Sequence, residues 1–256
     1  MGNVWGDRHE TFTPNERFCS NDEVQRCLER AQAAVEGGAA SLAVIMLPGS
    51  LNPVHREHIH TLELASQALE CEGISVIGGF LQPSSDGYVK HKLGAEAMSL
   101  QDRIHACRLA AQSSEMPIGV WCTGDTAGQR AVYECEQYLN KAMKARRNKV
   151  SWKNIAILGY YVMGADLLAR FGGWQQDVSE EPIVVLRRPG TALPAGKPGP
   201  GWYLAKGATS NISSTKIREA LSSGSFEAVV AAGCDPLVAE FLYRKRDGAC
   251  ANLGNC

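Results

Sequence analysis

Short apolar runs alternate along this chain with longer segments in which apolar residues recur every three or four positions. The run 41–47 (SLAVIML) has no polar alternation, which is typical of a strand buried on both faces of a parallel sheet. In the segment that follows, one helical face carries Ile59, Leu62, Ala65 and Leu69. The pattern therefore predicts a buried strand followed by an amphipathic helix.

The same alternation continues to the end of the chain. It predicts further strands over 74–77, 118–122, 154–161 and 183–186. It predicts helices over 22–35, 99–111, 129–147, 165–171, 213–221, 225–231 and 236–244. The polar segment 82–93 and the proline- and glycine-rich segment 188–201 are predicted to be surface loops.

Strands that alternate with helices predict an α/β fold with a doubly wound, Rossmann-like parallel sheet and helices on both faces. We predict a single domain over 41–245 that ends in a small C-terminal helical region. An extension over 1–40 with one helix precedes it, and a flexible tail over 246–256 follows it. In such sheets ligands bind outside the carboxyl ends of the strands, which is where we expect the site.

Composition and charge narrow the class of protein. The chain has 256 residues, 45% of them hydrophobic, and its net charge of −1 argues against an electrostatic nucleic-acid binder. Its nine cysteines form no CxxC pair and are expected to be reduced thiols. No signal peptide and no apolar run long enough to cross a bilayer are recognised, so a cytoplasmic or nuclear protein is the default expectation.

The segment 49–58 couples the first strand to two histidines. Gly49 is predicted to form the turn, Asn52 to cap the next helix and Pro53 to be its first residue. His55 and His58 then share one side of the first helical turn. Free N–H groups and a positive dipole end make such a turn an anion site, so two imidazoles there indicate phosphate chemistry. Two histidines without a third ligand do not predict a metal site.

A second candidate anion site lies near the C-terminus. Ser213 or Ser214 is predicted to cap a helix whose first turn contains Lys216 and Arg218. Cations at that end oppose the helix dipole by about 0.3–1 kcal/mol each, and a bound anion would reverse this cost. The sequence therefore favours a triphosphate held by backbone N–H groups, the Thr215 hydroxyl and the two cationic side chains.

Two further segments follow predicted strands. In 164–166 (GAD), small residues allow a ligand to approach the backbone near Gly164, and Asp166 can accept hydrogen bonds from ribose hydroxyls. The predicted loop 86–92 (DGYVKHK) gathers two lysines, a histidine and a tyrosine. Gly49 and Gly164 both follow predicted strands, so we expect them at one edge of the sheet, while the segment 86–92 also fits an ordinary charged surface loop.

Three motifs in sequence order carry a family resemblance. They are 49–53 (GSLNP) followed by His55-x-x-His58, then 164–168 (GADLL), then 212–218 (ISSTKIR). In this order and spacing they resemble the signatures of nicotinamide/nicotinate mononucleotide adenylyltransferases, within the nucleotidyltransferase superfamily. The resemblance covers roughly 41–244.

The resemblance implies transfer of the adenylyl group of ATP to a pyridine mononucleotide, giving NAD or deamido-NAD and pyrophosphate, with Mg²⁺ carried by the ATP phosphates. It implies catalytic roles for His55, His58, Lys216 and Arg218. It implies ATP contacts from Gly49, His58, Gly164, Asp166, Ser214, Thr215, Lys216 and Arg218. It implies mononucleotide contacts from Ser50, Tyr88, Lys90 and Trp174, with Trp121 as the alternative stacking residue.

Two alternative functions stay open at this point. Another nucleotidyltransferase, such as a cytidylyltransferase, is one alternative, and a degenerate binding or chaperone-like relative is another. The expected partners are the two small-molecule substrates, with no nucleic acid and no membrane span, and self-association into a homo-oligomer is left open. Preference for the amide or the acid form of the mononucleotide is also open.

Overall fold

Six parallel strands form one sheet in the order β3-β2-β1-β4-β5-β6, and nine helices are described around it. The computed structural model describes residues 21–122, 128–146, 155–171, 173–175, 182–196 and 198–246. The strands are β1 Leu42–Gly49, β2 Ser75–Pro83, β3 Ile118–Val120, β4 Ile157–Gly164, β5 Ile183–Arg187 and β6 Trp202–Ala208. This order is that of a doubly wound sheet, so the predicted fold class is confirmed.

The helices connect the strands and close the chain. They are α1 Asn21–Glu36, α2 Arg56–Glu70, α3 Asp86–Leu93, α4 Leu100–Ala111, α5 Gly128–Ala145, α6 Ala165–Arg170, α7 Ser214–Ser223, α8 Phe226–Ala231 and α9 Pro236–Arg246. Short 3₁₀ turns lie over Gly94–Glu96 and Gly173–Gln175. Residues 1–20 of the predicted extension, the predicted strand start at 154 and residues 247–256 of the predicted tail lie outside the described residues, while Arg246 ends α9.

Strand β1 divides the core into two layers because its successive side chains point to opposite faces of the sheet. Ala43, Ile45 and Leu47 pack on one face with α2, α4 and the C-terminal helices. Leu42, Val44 and Met46 pack on the other face with α1 and α5. A strand covered on both faces needs no polar positions, which explains the unbroken apolar run in the sequence.

The structure corrects three local predictions. Residues 86–93 form helix α3, so the prediction of a loop there is wrong, and Ser85 caps that helix by accepting from the N–H of Tyr88. Strand β6 was missed because it follows a segment dominated by proline and glycine. Gly49 is the last residue of β1, and the positive φ of +47° falls on Leu51, so the predicted turn residue is also wrong.

Among the residues that the structure describes, no helix combines the length and the apolar character needed to cross a membrane.

Candidate functional site

A cavity of about 600 Å³ opens at the carboxyl ends of the central strands. Gly49 ends β1 and Gly164 ends β4, and these strands are neighbours from which the sheet is wound in opposite directions. This is the topological switch point, where ligands bind in open α/β sheets. The predicted site residues that line the cavity are Gly49, Ser50, His58, Tyr88, Gly164 and Asp166.

The histidine pair stands at the start of α2, beside this cavity. His55 is the N-cap residue, is only 2% exposed, and stacks on the ring of His58 with the ring centroids 3.7 Å apart. The backbone N–H of His55 donates to Nδ1 of His58 at 3.1 Å. Because Nδ1 is an acceptor, neutral His58 carries its proton on Nε2. Since His58 lines the cavity, that N–H is a donor available to a bound oxygen.

The surroundings keep both imidazoles neutral in the free protein. Burial, followed by the nearby Arg188 guanidinium, lowers the pKa of His55 from 6.5 to about 4. Burial, followed by the effects of His55 and Arg188, lowers the pKa of His58 well below 6.5. An anion placed beside them would offset the positive charge of Arg188 and favour the protonated imidazole.

Asn52 and Pro53 do not begin the helix as predicted, since α2 begins at Arg56. The Asn52 side chain is buried and bonds elsewhere: its Nδ2 donates to the Glu96 carbonyl at 2.9 Å, and its Oδ1 accepts from the Met98 N–H at 2.7 Å. A buried amide requires such partners. Asn52 therefore ties the loop of residues 50–55 to the segment after α3 and leaves the capping position to His55. We call this loop between β1 and α2 the phosphate loop, after its predicted role.

Helix α3 decides which side chains of the segment 86–92 reach the cavity. Tyr88 and Lys92 lie four residues apart, hence on one helical face, and both line the cavity. Lys92 Nζ lies 3.5 Å from the hydroxyl oxygen of Ser50. Lys90, the residue predicted to bind the mononucleotide phosphate, is exposed and does not belong to the described lining. The structure therefore brings Lys92, and not Lys90, to the described cavity lining.

Gly164 and Asp166 form the opposite wall. Gly164 is the N-cap of α6, and a Cβ atom built on it would lie 2.5 Å from Oδ1 of Asp166. The absence of a side chain at this position therefore allows the carboxylate to fold back over the start of α6. This places a hydrogen-bond acceptor at the cavity wall, as the predicted role in binding ribose hydroxyls requires.

Helix α7 packs against the phosphate loop from outside the described cavity lining. Ser213 caps it by accepting from the Lys216 N–H, as predicted. The Ser214 hydroxyl donates to the Pro53 carbonyl at 2.9 Å, and Lys216 Nζ donates to the Asn211 carbonyl at 3.2 Å. The predicted triphosphate ligands of this helix thus lie next to the loop, and their hydrogen bonds go to protein groups.

Arg218, predicted to bind a triphosphate, has protein partners in this structure. Its Nε donates to the Glu96 carboxylate at 2.7 Å, and its Nη1 donates to the Asn52 carbonyl at 3.0 Å. A further contact of 3.4 Å joins its Nη2 to the Thr215 hydroxyl oxygen. The guanidinium therefore links α7 to the same loop that Asn52 holds.

The tryptophans considered for base stacking lie in the core. The Trp174 indole N–H donates to the Pro194 carbonyl at 3.0 Å, and its ring packs edge-on against Trp202. Trp121 is fully buried and packs edge-on against Phe80. In this geometry neither tryptophan lines the described cavity, whose aromatic residues are Tyr88, Tyr161 and Phe171.

Two cationic lining residues were missed by sequence reasoning. Arg170 ends α6 and Arg188 follows β5, and both line the cavity with exposed side chains. The position of Arg188, just after a predicted strand, was an available signal. Arg170 gave no such signal, because basic residues are common in the last turn of a helix. With Lys92 they make the cavity wall cationic, which suits an anionic ligand.

The chain is similar in sequence to proteins described as mononucleotide adenylyltransferases. A protein of rice (Oryza sativa subsp. japonica) described as nicotinamide/nicotinic acid mononucleotide adenylyltransferase is 32% identical over 146 residues, which are 56% of this chain and 55% of that protein. The chain thus spans about half the length of this relative. A probable nicotinate-nucleotide adenylyltransferase of Agrobacterium fabrum is 27% identical over 210 residues, covering 69% of this chain and 98% of the relative.

Solved structures share the fold. Plasmodium falciparum nicotinic acid mononucleotide adenylyltransferase, complexed with APC, superposes with a TM-score of 0.53 at 13% identity, covering 80% of this chain and 96% of that one. The same protein complexed with NaAD gives a TM-score of 0.54. The family model described as cytidylyltransferase-like matches residues 46–220, which is well over half of the chain. This protein therefore belongs to the cytidylyltransferase-like family.

Proposed function

We propose that this protein transfers the adenylyl group of ATP to nicotinamide or nicotinate mononucleotide, forming NAD or deamido-NAD and pyrophosphate. The observation that carries the proposal is the cavity at the β1/β4 switch point, where the N–H donor of His58 and three cationic side chains surround one space. The names of the rice and Agrobacterium relatives support the same activity.

The chemistry requires no covalent intermediate with the protein. An oxygen of the acceptor 5′-phosphate attacks the α-phosphorus of ATP, and the bond from that phosphorus to the oxygen bridging to the β-phosphate breaks. Pyrophosphate then leaves with the bonding electrons. Catalysis of this step consists of positioning and charge neutralisation. Mg²⁺ enters as part of the metal–nucleotide substrate, because it binds phosphate oxygens and retains several waters.

Each wall of the cavity has a role in this proposal. His58 Nε2–H donates to the triphosphate, whose charge raises the pKa of the imidazole and favours its protonated form as pyrophosphate departs. Ser50 and Lys92, 3.5 Å apart, hold the acceptor phosphate. Asp166 accepts from ribose hydroxyls. His55 packs behind His58 and, through its backbone N–H, fixes the orientation of that ring.

The resemblance also assigns Lys216 and Arg218 to the triphosphate. In the described geometry their donors are engaged by Asn211, Asn52 and Glu96. When Lys216 and Arg218 bind the triphosphate, phosphate oxygens replace these protein acceptors. The exchange is chemically matched, because a carboxylate and a phosphate both accept charge-assisted hydrogen bonds from a guanidinium.

The direct test is a coupled assay of the purified protein with ATP, Mg²⁺ and each mononucleotide in turn. We expect equal amounts of pyrophosphate and dinucleotide, the latter identified by chromatography. CTP in place of ATP tests the cytidylyltransferase alternative, which predicts the higher rate with CTP. Substrate binding without turnover under all these conditions would instead support a degenerate relative and refute the proposed activity.

A further inference from the structure

Arg103 of α4 is a fully buried cation whose guanidinium joins four segments. Its Nε donates to the Met98 carbonyl at 3.3 Å, and its Nη1 donates to the Ser50 carbonyl at 3.1 Å and to the Ser84 carbonyl at 2.6 Å. Its Nη2 donates to the Asp86 carboxylate at 3.0 Å. A buried guanidinium is costly unless its donors are satisfied, and here four of its five N–H groups have partners.

Two acceptors of Arg103 line the cavity, and a third begins the helix that faces it. Ser50 follows β1, Ser84 follows β2, and both line the cavity. Asp86 is the first residue of α3, the helix that presents Tyr88 and Lys92 to the same space. One side chain thus connects the phosphate loop to the helix that faces it.

We propose that Arg103 is a positioning residue that sets the distance between the Ser50 loop and helix α3, and thereby the geometry of the acceptor-phosphate subsite. The identity of that substrate rests on the proposed function, but the placement of the two walls does not. The planar fork of arginine can meet diverging acceptors, whereas the ammonium of a lysine acts as a point charge. A displacement of about 1 Å in such a wall costs catalysis about 100-fold.

The surrounding contacts indicate that the sheet does not depend on Arg103. The backbone N–H of Ser84 donates to the Gly49 carbonyl at 2.8 Å, and β1 and β2 remain paired along their length. Asp86 is partly exposed, so it retains hydration if the guanidinium is removed. We therefore expect substitution of Arg103 to disturb the position of α3 more than the pairing of the strands.

Steady-state kinetics of Arg103→Lys test this proposal. We expect the KM for the mononucleotide to rise about tenfold or more, with the KM for ATP changed less than about twofold. Arg108→Lys is the matched control, because Arg108 lies on the same helix with an exposed side chain and should change neither KM. A lower melting temperature with both KM values unchanged, measured well below that temperature, would overturn the proposal and leave Arg103 a structural residue.

Hydrogen exchange separates this inference from the proposed function, because it needs no substrate. In free Arg103→Lys, the amides of α3 should exchange faster than in the wild type, while those of α5 are unchanged. If the wild-type protein adenylates no mononucleotide, the proposed function fails, and faster exchange in α3 still supports the placement role. Unchanged exchange in α3 overturns the placement role whether or not the enzyme is active.

Discussion

Replacing Lys92 by alanine tests which lysine binds the acceptor phosphate. The direction of helix α3 favours Lys92, whereas the family resemblance implies Lys90. Lys92 lines the cavity with its Nζ 3.5 Å from the Ser50 hydroxyl oxygen. Lys90 lies two residues earlier, about 200° away around the helix, and is exposed outside the described lining. The two lysines thus form a matched pair with the same chemistry and different directions.

The expected magnitude follows from the contact that would be lost. A charge-assisted hydrogen bond to an anion contributes about 1.5–3 kcal/mol, which corresponds to about ten- to a hundredfold in affinity. Lys92 is exposed to solvent, which screens the interaction, so the lower end applies. We therefore expect Lys92→Ala to raise the KM for the mononucleotide about tenfold, and Lys90→Ala to raise it less than about threefold.

Initial rates with each substrate varied against saturating partner distinguish the outcomes. Both variants should melt at the wild-type temperature, because neither lysine is buried. If Lys90→Ala raises the mononucleotide KM as much as Lys92→Ala does, the argument from helical direction is refuted. An equal rise in both KM values for Lys92→Ala would show that α3 contacts both substrates.

Three further outcomes are expected. His58→Ala should reduce kcat by about 10²–10⁴, and a near-normal kcat would remove His58 from the mechanism. Its melting temperature should fall modestly, because the His55 N–H loses its acceptor, so the rates are measured well below that temperature. Arg188 lies close enough to His55 and His58 to lower the pKa of both imidazoles, so we expect it to face the triphosphate that His58 is proposed to bind. Arg188→Ala should therefore raise the KM for ATP about tenfold, whereas Arg187→Ala, an exposed neighbour outside the described lining, should not. Similar KM values for the two variants would contradict this role of Arg188. Because the pKa of His55 is lowered from 6.5 to about 4, the unfolded chain binds more protons between these values, and the free energy of unfolding should fall by up to about 3 kcal/mol as pH drops from 6.5 to 4. Urea denaturation across this range should show a weaker pH dependence for His55→Gln, and an unchanged dependence would refute the argument.

Much of the fold was predictable because it depends on local pattern. The apolar run of β1 and the 3.6-residue period of α2 are properties of consecutive residues, so they were read from the sequence. Strand β6 was not predicted, because most of its residues are half-buried and form neither an apolar run nor a clear alternation, and because it follows a segment rich in proline and glycine. Helix α3 was missed because the segment is polar and short, and its N-cap at Ser85 gives a weak signal in a chain with many serines.

Some features of the candidate site could likewise be predicted from local sequence pattern, and others could not. The pattern of strands was enough to predict that Gly49, Ser50, His58 and Asp166 lie at or just after strand ends, and the rule for parallel sheets then brings them to one edge. It could not show that Arg218 already has an anionic partner in Glu96, since these residues are far apart in the chain.

The cations that face the cavity could be identified from the three-dimensional structure but not from the sequence. The direction of a side chain depends on whether its segment is a helix or a loop, and on the elements packed against it. For this reason the structure selects Lys92 over Lys90 and adds Arg188. It also shows that the buried Arg103 guanidinium bonds to the Ser50 carbonyl, although the two residues are 53 positions apart in the chain.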